Sequence, residues 1–202
     1  MPRPRTHDPD TVLDAAETLA VRAGPAAVTI RAVASATGAS NGAIYHTFGS
    51  RAELLGRMWL RAARRFLALQ TEQVDARENA TDAVLAAAET PAVFAERHPE
   101  SSRLLLVLDR DALLGDDLPA ELATELSAVD ETLVRLMVGL SRRLWGRGDR
   151  AAVDVLTLCV VDLPTAILLR RDRLTGPIAR DQLRAAVRAV LAVGPPPPST
   201  TR

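Results

Sequence analysis

Apolar residues recur at helical spacing along most of the chain. In the first run, Val12, Leu13, Ala16, Leu19 and Ala20 follow the i, i+3, i+4 spacing of a helix that buries one face. Alternating β-branched residues, the pattern of half-buried strands, are nearly absent. The pattern therefore predicts an all-α protein of about nine helices.

Capping residues and glycines set the predicted ends of the first four helices. Asp8 is a good N-cap because Pro9 follows at the first helical position, and Gly24-Pro25 ends that helix. Ser50 and Glu53 have the spacing of a capping box. The next three predicted helices run from Ile30 to about Thr37 after Thr29, from Asn41 to about Thr47 after Ser40, and from Ser50 to about Val74.

The remaining chain predicts five more helices and a tail. The helices run from about Thr81 to Arg97, Pro99 to Gly115, Pro119 to Trp145, Arg150 to Asp172 (capped by Asp149) and Pro177 to Gly194. The four prolines at 195–198 cannot continue a helix, and we expect 195–202 to be a disordered extension that does not pack. We therefore predict an N-terminal domain over 1–50 and a helical domain over 51–194.

Composition leaves little material for catalysis or for a metal site. The chain has one cysteine and three histidines, and the histidines are scattered at positions 7, 46 and 98. No glycine-rich phosphate loop and no nucleophile elbow is present. We therefore expect no catalytic residues, no metal and no cofactor, and the sequence argues against an enzyme.

The formal net charge is zero, but it is unevenly distributed. Residues 1–65 carry nine arginines and five acidic residues, whereas the remainder carries sixteen arginines and twenty acidic residues. A basic end is compatible with a polyanionic partner and equally with ordinary surface chemistry.

No targeting or membrane segment is evident. The longest apolar stretch, Val155 to Leu169, contains Asp162 and Pro164 and is shorter than a membrane-spanning helix requires. We expect a cytoplasmic protein without membrane contact. Within that stretch, Asp162 would need a partner if it were buried.

The most informative segment is residues 28–55. Its two short helices are joined at Gly38, which permits the left-handed conformation that a tight turn needs. Val33, Ile44 and Phe48 can then pack against the first helix. The surface left over carries short polar groups, a small residue and one tyrosine, which suit a DNA groove: Ser40, Asn41, Ala43, Tyr45, His46 and Thr47.

This segment resembles the DNA-binding region of the TetR family of transcriptional regulators. The positions that match the family pattern are Thr29, Val33-Ala34, Gly38-Ala39-Ser40, Gly42 through Phe48, and Ser50-Arg51 with Leu54. The chain departs from the pattern at Thr47, where histidine is usual, and at Arg51, where lysine is usual. The resemblance implies a helix-turn-helix domain followed by a helical effector-binding and dimerisation domain.

The resemblance implies a set of DNA-contacting residues: Thr29, Ser40, Asn41, Ala43, Tyr45, His46 and Arg51. Tyr45 would contact phosphate through its hydroxyl, or else be a half-buried aromatic that covers the small domain. Asn41 would face a base edge, or else serve only the helix start. Arg3 and Arg5 would enter a minor groove, or else belong to an unstructured end.

The resemblance also implies a homodimer, because two modules on a two-fold axis contact two half-sites of a pseudo-palindromic operator. The expected seam is an apolar face on each of the last two helices: Val153, Leu156, Val160, Ile167, Leu183, Val187, Val190 and Leu191. The alternative is that these helices are core elements of a monomer.

A small-molecule effector is the third partner that the resemblance implies. In the family, binding of a ligand in the C-terminal part tilts the fourth helix and lowers DNA affinity. The candidate pocket residues, each of which could equally be ordinary core, are Trp59, Phe66, Phe94, Leu105, Met137 and Trp145. With six aromatic residues in the chain, the pocket would suit an apolar ligand.

The sequence thus predicts a TetR-like regulator that is released from double-stranded DNA by a small, mostly apolar effector. We expect a repressor, because repression is commoner in the family. The alternative is a helical dimerisation or ligand-binding protein that has lost DNA binding, and Thr47 is the one local feature that favours it.

Overall fold

The computed structural model describes residues 8–106, 118–170 and 173–197. All regular structure in these ranges is helical, which confirms the predicted fold class. The α-helices are α1 (Pro9–Ala23), α2 (Ile30–Thr37), α3 (Asn41–Phe48), α4 (Arg51–Asp75), α5 (Ala80–Arg97), α6 (Pro99–Leu106), α7 (Ala120–Trp145), α8 (Arg150–Thr157) and α9 (Pro177–Val193).

Side-chain caps hold the helix starts where the sequence placed them. The Thr29 hydroxyl accepts the Ala32 N–H at 3.1 Å, and the Ser50 hydroxyl accepts the Glu53 N–H at 3.0 Å. The sequence analysis missed one cap: the Asn79 carboxamide oxygen accepts the Asp82 N–H at 3.1 Å and starts α5. Each cap satisfies one of the donors that a helix N-terminus leaves without an intrahelical partner.

Pro164 changes the helix that follows α8. Proline has no N–H and its ring clashes with the preceding turn, so the backbone widens locally. The segments Leu158–Asp162 and Thr165–Leu169 on either side of it form wider turns, with the Arg170 N–H donating to the Thr165 carbonyl. The helical run predicted from Arg150 therefore continues to Leu169 with altered winding.

Two other predictions change in part. The helix predicted to reach Gly115 is described as far as Leu106, and 107–117 lie outside the described residues. The Pro196 carbonyl accepts a hydrogen bond from Arg147 at 2.8 Å, so the expectation that the proline run does not pack is wrong at Pro196. Residues 198–202 lie outside the described part of the chain.

The chain forms two compact units. The first combines Met1–Ala63 with Glu100–Ala128, and the second combines Arg64–Pro99 with Val129–Arg202. The division falls inside α4 and α7. The predicted domains, 1–50 and 51–194, are divisions of function and stay a prediction.

A buried carboxylate ties three helices together in the first unit. Glu17 of α1 is 3% exposed, and its carboxylate accepts hydrogen bonds from Arg61 of α4 at 2.8 Å and from the Ser101 hydroxyl of α6 at 2.8 Å. Arg61 also pairs with Asp14 at 2.7 Å and with Asp10 at 3.1 Å. Burial lowers the pKa of Arg61, but these carboxylates more than offset it and leave the pKa raised.

We predict that Glu17→Ala lowers the free energy of unfolding by about 3–5 kcal/mol, because it leaves the Arg61 guanidinium buried without its principal partner. The matched control is Asp14→Ala, which removes an exposed partner of the same arginine and is expected to cost less than about 1 kcal/mol. Urea unfolding followed by circular dichroism measures both. Equal losses in the two variants would contradict the assigned role of Glu17.

Candidate nucleic-acid interface

The helix α3 is positioned by apolar side chains on one of its faces. Ile44 and Phe48 are 1% and 4% exposed, and Val33 of α2 and Ala16 of α1 are fully buried in the same unit. Gly38 takes φ +71° between α2 and α3, a left-handed conformation that glycine adopts without strain. The predicted inward face of α3 is therefore confirmed at Ile44 and Phe48.

Most of the remaining surface of α3 is open to solvent. Asn41, His46 and Thr47 are exposed, and the Tyr45 ring is 53% exposed. Ala43 is half-buried. Because Tyr45 stands out from the helix, it does not cover the small domain as a half-buried aromatic would. Asn41, Tyr45 and His46, three of the predicted DNA-contacting residues of α3, are thus accessible, and Ala43 is partly so.

Two of the predicted contact residues are occupied as helix caps. The Ser40 hydroxyl accepts the Ala43 N–H at 3.1 Å, and Thr29 caps α2 in the same way. Both residues are exposed at a helix N-terminus, where an anion is favourable, and each hydroxyl still has a proton that it can donate. A phosphate contact at either position is compatible with the cap, and it stays a prediction.

Arg51 makes structural contacts that the sequence did not predict. Its Nε donates to the Val28 carbonyl at 2.6 Å, and one terminal nitrogen donates to the Pro25 carbonyl at 2.7 Å. These bonds fasten the connection between α1 and α2 to the first turn of α4. Any phosphate contact by Arg51 therefore has to coexist with this arrangement.

Arg31 is a candidate that the sequence analysis missed. It lies in the first turn of α2, two residues after the Thr29 cap, and its side chain is exposed. The sequence signal for its exposure was the predicted start of α2: Ile30 is apolar and turns inward, so the next residue along the helix lies on a different face. Its positive charge is therefore exposed at the helix start that Thr29, one of the predicted contact residues, caps.

The predicted effector residues fall in both units. Trp59 and Leu105 belong to the first, and Phe66, Phe94, Met137 and Trp145 to the second. Phe66 and Phe94 meet edge to face, with ring centroids 5.3 Å apart and planes at 88°. Trp145 lies elsewhere in its unit, beside Gly194 at the end of α9. The structure therefore brings Phe66 and Phe94 together.

The predicted dimer seam needs correction. Leu156, Val160, Leu183 and Val187 are at most 4% exposed within a single protomer. They are buried because α9 and the wide turns after α8 pack on α5 of the same chain. The other four are half-buried: Val153, Ile167, Val190 and Leu191. Asp162 is exposed, so it needs no buried partner.

Among the described residues, no group of three or more His, Cys, Asp or Glu side chains could hold a metal ion. Cys159 is buried, and burial raises the pKa of its thiol to about 12, so it is not a nucleophile near neutral pH.

We predict that Arg51→Lys and Arg51→Met both lower the free energy of unfolding by about 1–3 kcal/mol, because neither side chain reproduces two hydrogen bonds to the carbonyls of Val28 and Pro25. The control Arg31→Met changes an exposed arginine and is expected to stay within about 0.5 kcal/mol. Thermal and urea unfolding of the full chain measure all three. An Arg51→Lys protein as stable as the unaltered chain would contradict the structural role.

The N-terminal part of the chain is similar to a known protein family. Residues 12–58 match the family model described as bacterial regulatory proteins, tetR family. No curated protein matches the chain significantly.

Several solved structures share the fold. A TetR-like transcriptional regulator from a Rhodococcus species is 20% identical, with a TM-score of 0.67 over 95% of this chain and 98% of that one. The TetR family transcriptional regulator PfmR from Thermus thermophilus is 23% identical, with a TM-score of 0.64 over 90% and 97%. The fatty acid degradation regulator FadR from Bacillus halodurans is 14% identical, with a TM-score of 0.65 over 89% and 97%.

These structural likenesses establish the fold of the whole chain, and the family model establishes the relationship of its N-terminal segment. That segment forms most of α1, all of α2 and α3 and the start of α4, so the helix-turn-helix head is similar to that of bacterial regulatory proteins of the tetR family, and the chain has the fold of the solved TetR-like regulators.

Proposed function

We propose that this chain is a cytoplasmic transcriptional repressor that binds a pseudo-palindromic DNA operator as a homodimer and is released by a small-molecule effector. The observation that carries the proposal is the solvent-exposed face of α3, which lies inside the segment that matches the TetR family. A helix held by apolar contacts on one side and polar on the other can enter the major groove without unfolding.

The groups on this face suit two different kinds of DNA contact. The Tyr45 hydroxyl and His46 can donate hydrogen bonds to phosphate oxygens, which fixes the position of the helix on the duplex. Asn41 can bond both the acceptor and the donor of an adenine in the major groove. Ala43 leaves room for close approach and can contact a thymine methyl group. Arg31, exposed in the first turn of α2, adds a further cation to the helix-turn-helix head.

We predict that Tyr45→Phe weakens binding to all duplexes to a similar extent, because it removes a phosphate contact and retains the ring. Asn41→Ala should instead relax the preference at one position in each half-site, at a cost of about 1–3 kcal/mol for the preferred base. Selection from random duplexes, followed by titration of the selected site at several salt concentrations, measures both effects.

The control for these two variants is Arg135→Ala, an exposed substitution on α7 of the second unit, which should leave affinity and preference unchanged. If Asn41→Ala retains the full sequence preference, the assignment of Asn41 to base recognition is wrong.

The proposed dimer seam uses the outer faces of the last two helical runs. The helical run Arg150–Leu169 has a mean hydropathy of 2.0, and about a third (33%) of its most apolar 18-residue stretch is buried. By length and composition alone it could cross a membrane, so the expectation that the apolar stretch is too short is wrong. One such helix is weak evidence for a membrane span. A second copy of the chain would cover the same apolar surface without a membrane.

The residues that a partner would cover differ from those predicted from the sequence. Leu158 and Val161 are 38% and 37% exposed after α8. On α9, Ala185, Ala189 and Val193 recur at a spacing of four and are exposed. Small side chains on α9 allow two helices to approach closely. The exposed face of α9 and the exposed face after α8 therefore suit a helix bundle between two protomers.

We predict that Ala189→Arg converts the dimer to a monomer, because a long charged side chain at a close helix contact cannot be accommodated and paired. Val134→Arg is the control, since Val134 is an exposed apolar residue on α7, 56% accessible, outside the proposed seam. Light scattering coupled to gel filtration gives both masses. A dimeric Ala189→Arg protein with a monomeric control variant would overturn the seam.

The effector site that we propose lies in the second unit. Its support is the edge-to-face pair of Phe66 on α4 and Phe94 in the last turn of α5, which supplies aromatic surface. Aliphatic side chains dominate the rest of that core, so the effector we propose is mostly apolar.

A second candidate function is that of a dimerisation or ligand-binding protein without DNA affinity. The observation that favours it is Thr47, whose hydroxyl donates to the Ala43 carbonyl at 3.0 Å and is thereby turned back onto its own helix. The random-duplex selection separates the two, because only the regulator enriches a palindrome and loses affinity steeply as salt is raised.

A further inference from the structure

Pro91 creates a defect inside α5 that another helix repairs. A proline has no N–H, so the carbonyl four residues earlier, that of Ala87, loses its usual intrahelical donor. The side-chain Nε2 of Gln70 on α4 donates to this carbonyl at 3.1 Å. Gln70 is 1% exposed, and this contact accounts for one end of its carboxamide.

The other end of the carboxamide is not accounted for. Among the residues that the structure describes, the buried Oε1 of Gln70 has no hydrogen-bond partner. An amide oxygen has two lone pairs, and a buried acceptor is normally paired. The orientation is fixed, since the opposite flip would point the oxygen at the Ala87 carbonyl oxygen. The acceptor therefore requires a donor that those residues do not supply.

The unpaired oxygen of Gln70 lies near the aromatic pair of the proposed effector site. Phe66 lies one helical turn before Gln70 on α4, and Phe94 lies three residues after Pro91 on α5, in the same unit. The two rings contact each other edge to face. An unpaired oxygen thus lies one turn from an aromatic pair.

We infer that Oε1 of Gln70 accepts a hydrogen bond from a hydroxyl or N–H group of the effector. This inference rests on the effector site proposed above and specifies its ligand class: an apolar body that carries a neutral donor. A carboxylate or a pure hydrocarbon offers no donor to this oxygen, so neither belongs to the class.

The probes are matched pairs of alcohols and their methyl ethers: 1-hexanol, 1-decanol and 1-naphthol, each with its ether. Dissociation constants come from equilibrium dialysis with the full chain. We expect at least one alcohol to bind ten-fold or more tightly than its ether, because a buried acceptor left unpaired penalises the analogue without the donor.

Two variants distinguish the role of the Gln70 Oε1 atom in ligand binding from the role of its Nε2 atom in stabilising α5. Pro91→Ala restores an N–H to residue 91, so Ala87 no longer depends on Gln70, and the alcohol preference should persist. Gln70→Met in the Pro91→Ala background then removes the unpaired oxygen while the hydrogen bonds within α5 are complete. The preference for the alcohol over its ether should fall to within two-fold. The stability of both variants is checked by urea unfolding.

The inference is overturned if no alcohol binds below millimolar concentration, if every pair binds equally to the unaltered chain, or if the double variant keeps the preference. A water that stays on Oε1 in crystals soaked with the alcohol also overturns it. The proposed regulatory function is tested separately, because operator selection does not use these probes and its outcome does not depend on them.

Discussion

Burial of one face of α3 is the constraint on which the functional surface depends. Ile44 and Phe48 are drawn into the core of the first unit by the favourable transfer of their side chains out of water. In a helix with 3.6 residues per turn, this leaves His46 on the opposite side, while Asn41 in the first turn and Tyr45 flank the buried residues and are exposed. The same burial therefore stabilises the head and presents its polar groups, and the side chains available to DNA follow from it.

A second constraint holds the helices that support α3. The Glu17 carboxylate lies among α1, α4 and α6 and is paired with Arg61, so none of these helices can leave the others without exposing or orphaning a buried charge. Arg51 fixes the connection between α1 and α2 in a similar way. Polar contacts thus set the positions of elements that apolar burial alone would allow to slide.

Most helix boundaries could be predicted from local sequence signals. Asp8, Thr29 and Ser40 predicted helix starts because capping depends on a few neighbouring atoms, and Gly38 predicted the turn for the same reason. Non-local outcomes were harder. Periodicity identified Leu183 and Val187 as buried, but it cannot tell whether a residue is buried by its own chain or by a partner, and α5 of the same chain covers them. The partners of Arg51 and Gln70 lie 17 or more residues away in the sequence, so no local pattern pointed to them.

The central claim is that the open face of α3 binds the major groove of a specific duplex. The direct measurement is chemical interference on the duplex selected from a random pool, comparing methylation of guanine N7 in the major groove with methylation of adenine N3 in the minor groove. The account predicts that N7 methylation blocks binding in two half-sites about one helical turn apart. Interference confined to the minor groove, or no selected duplex at all, would contradict it.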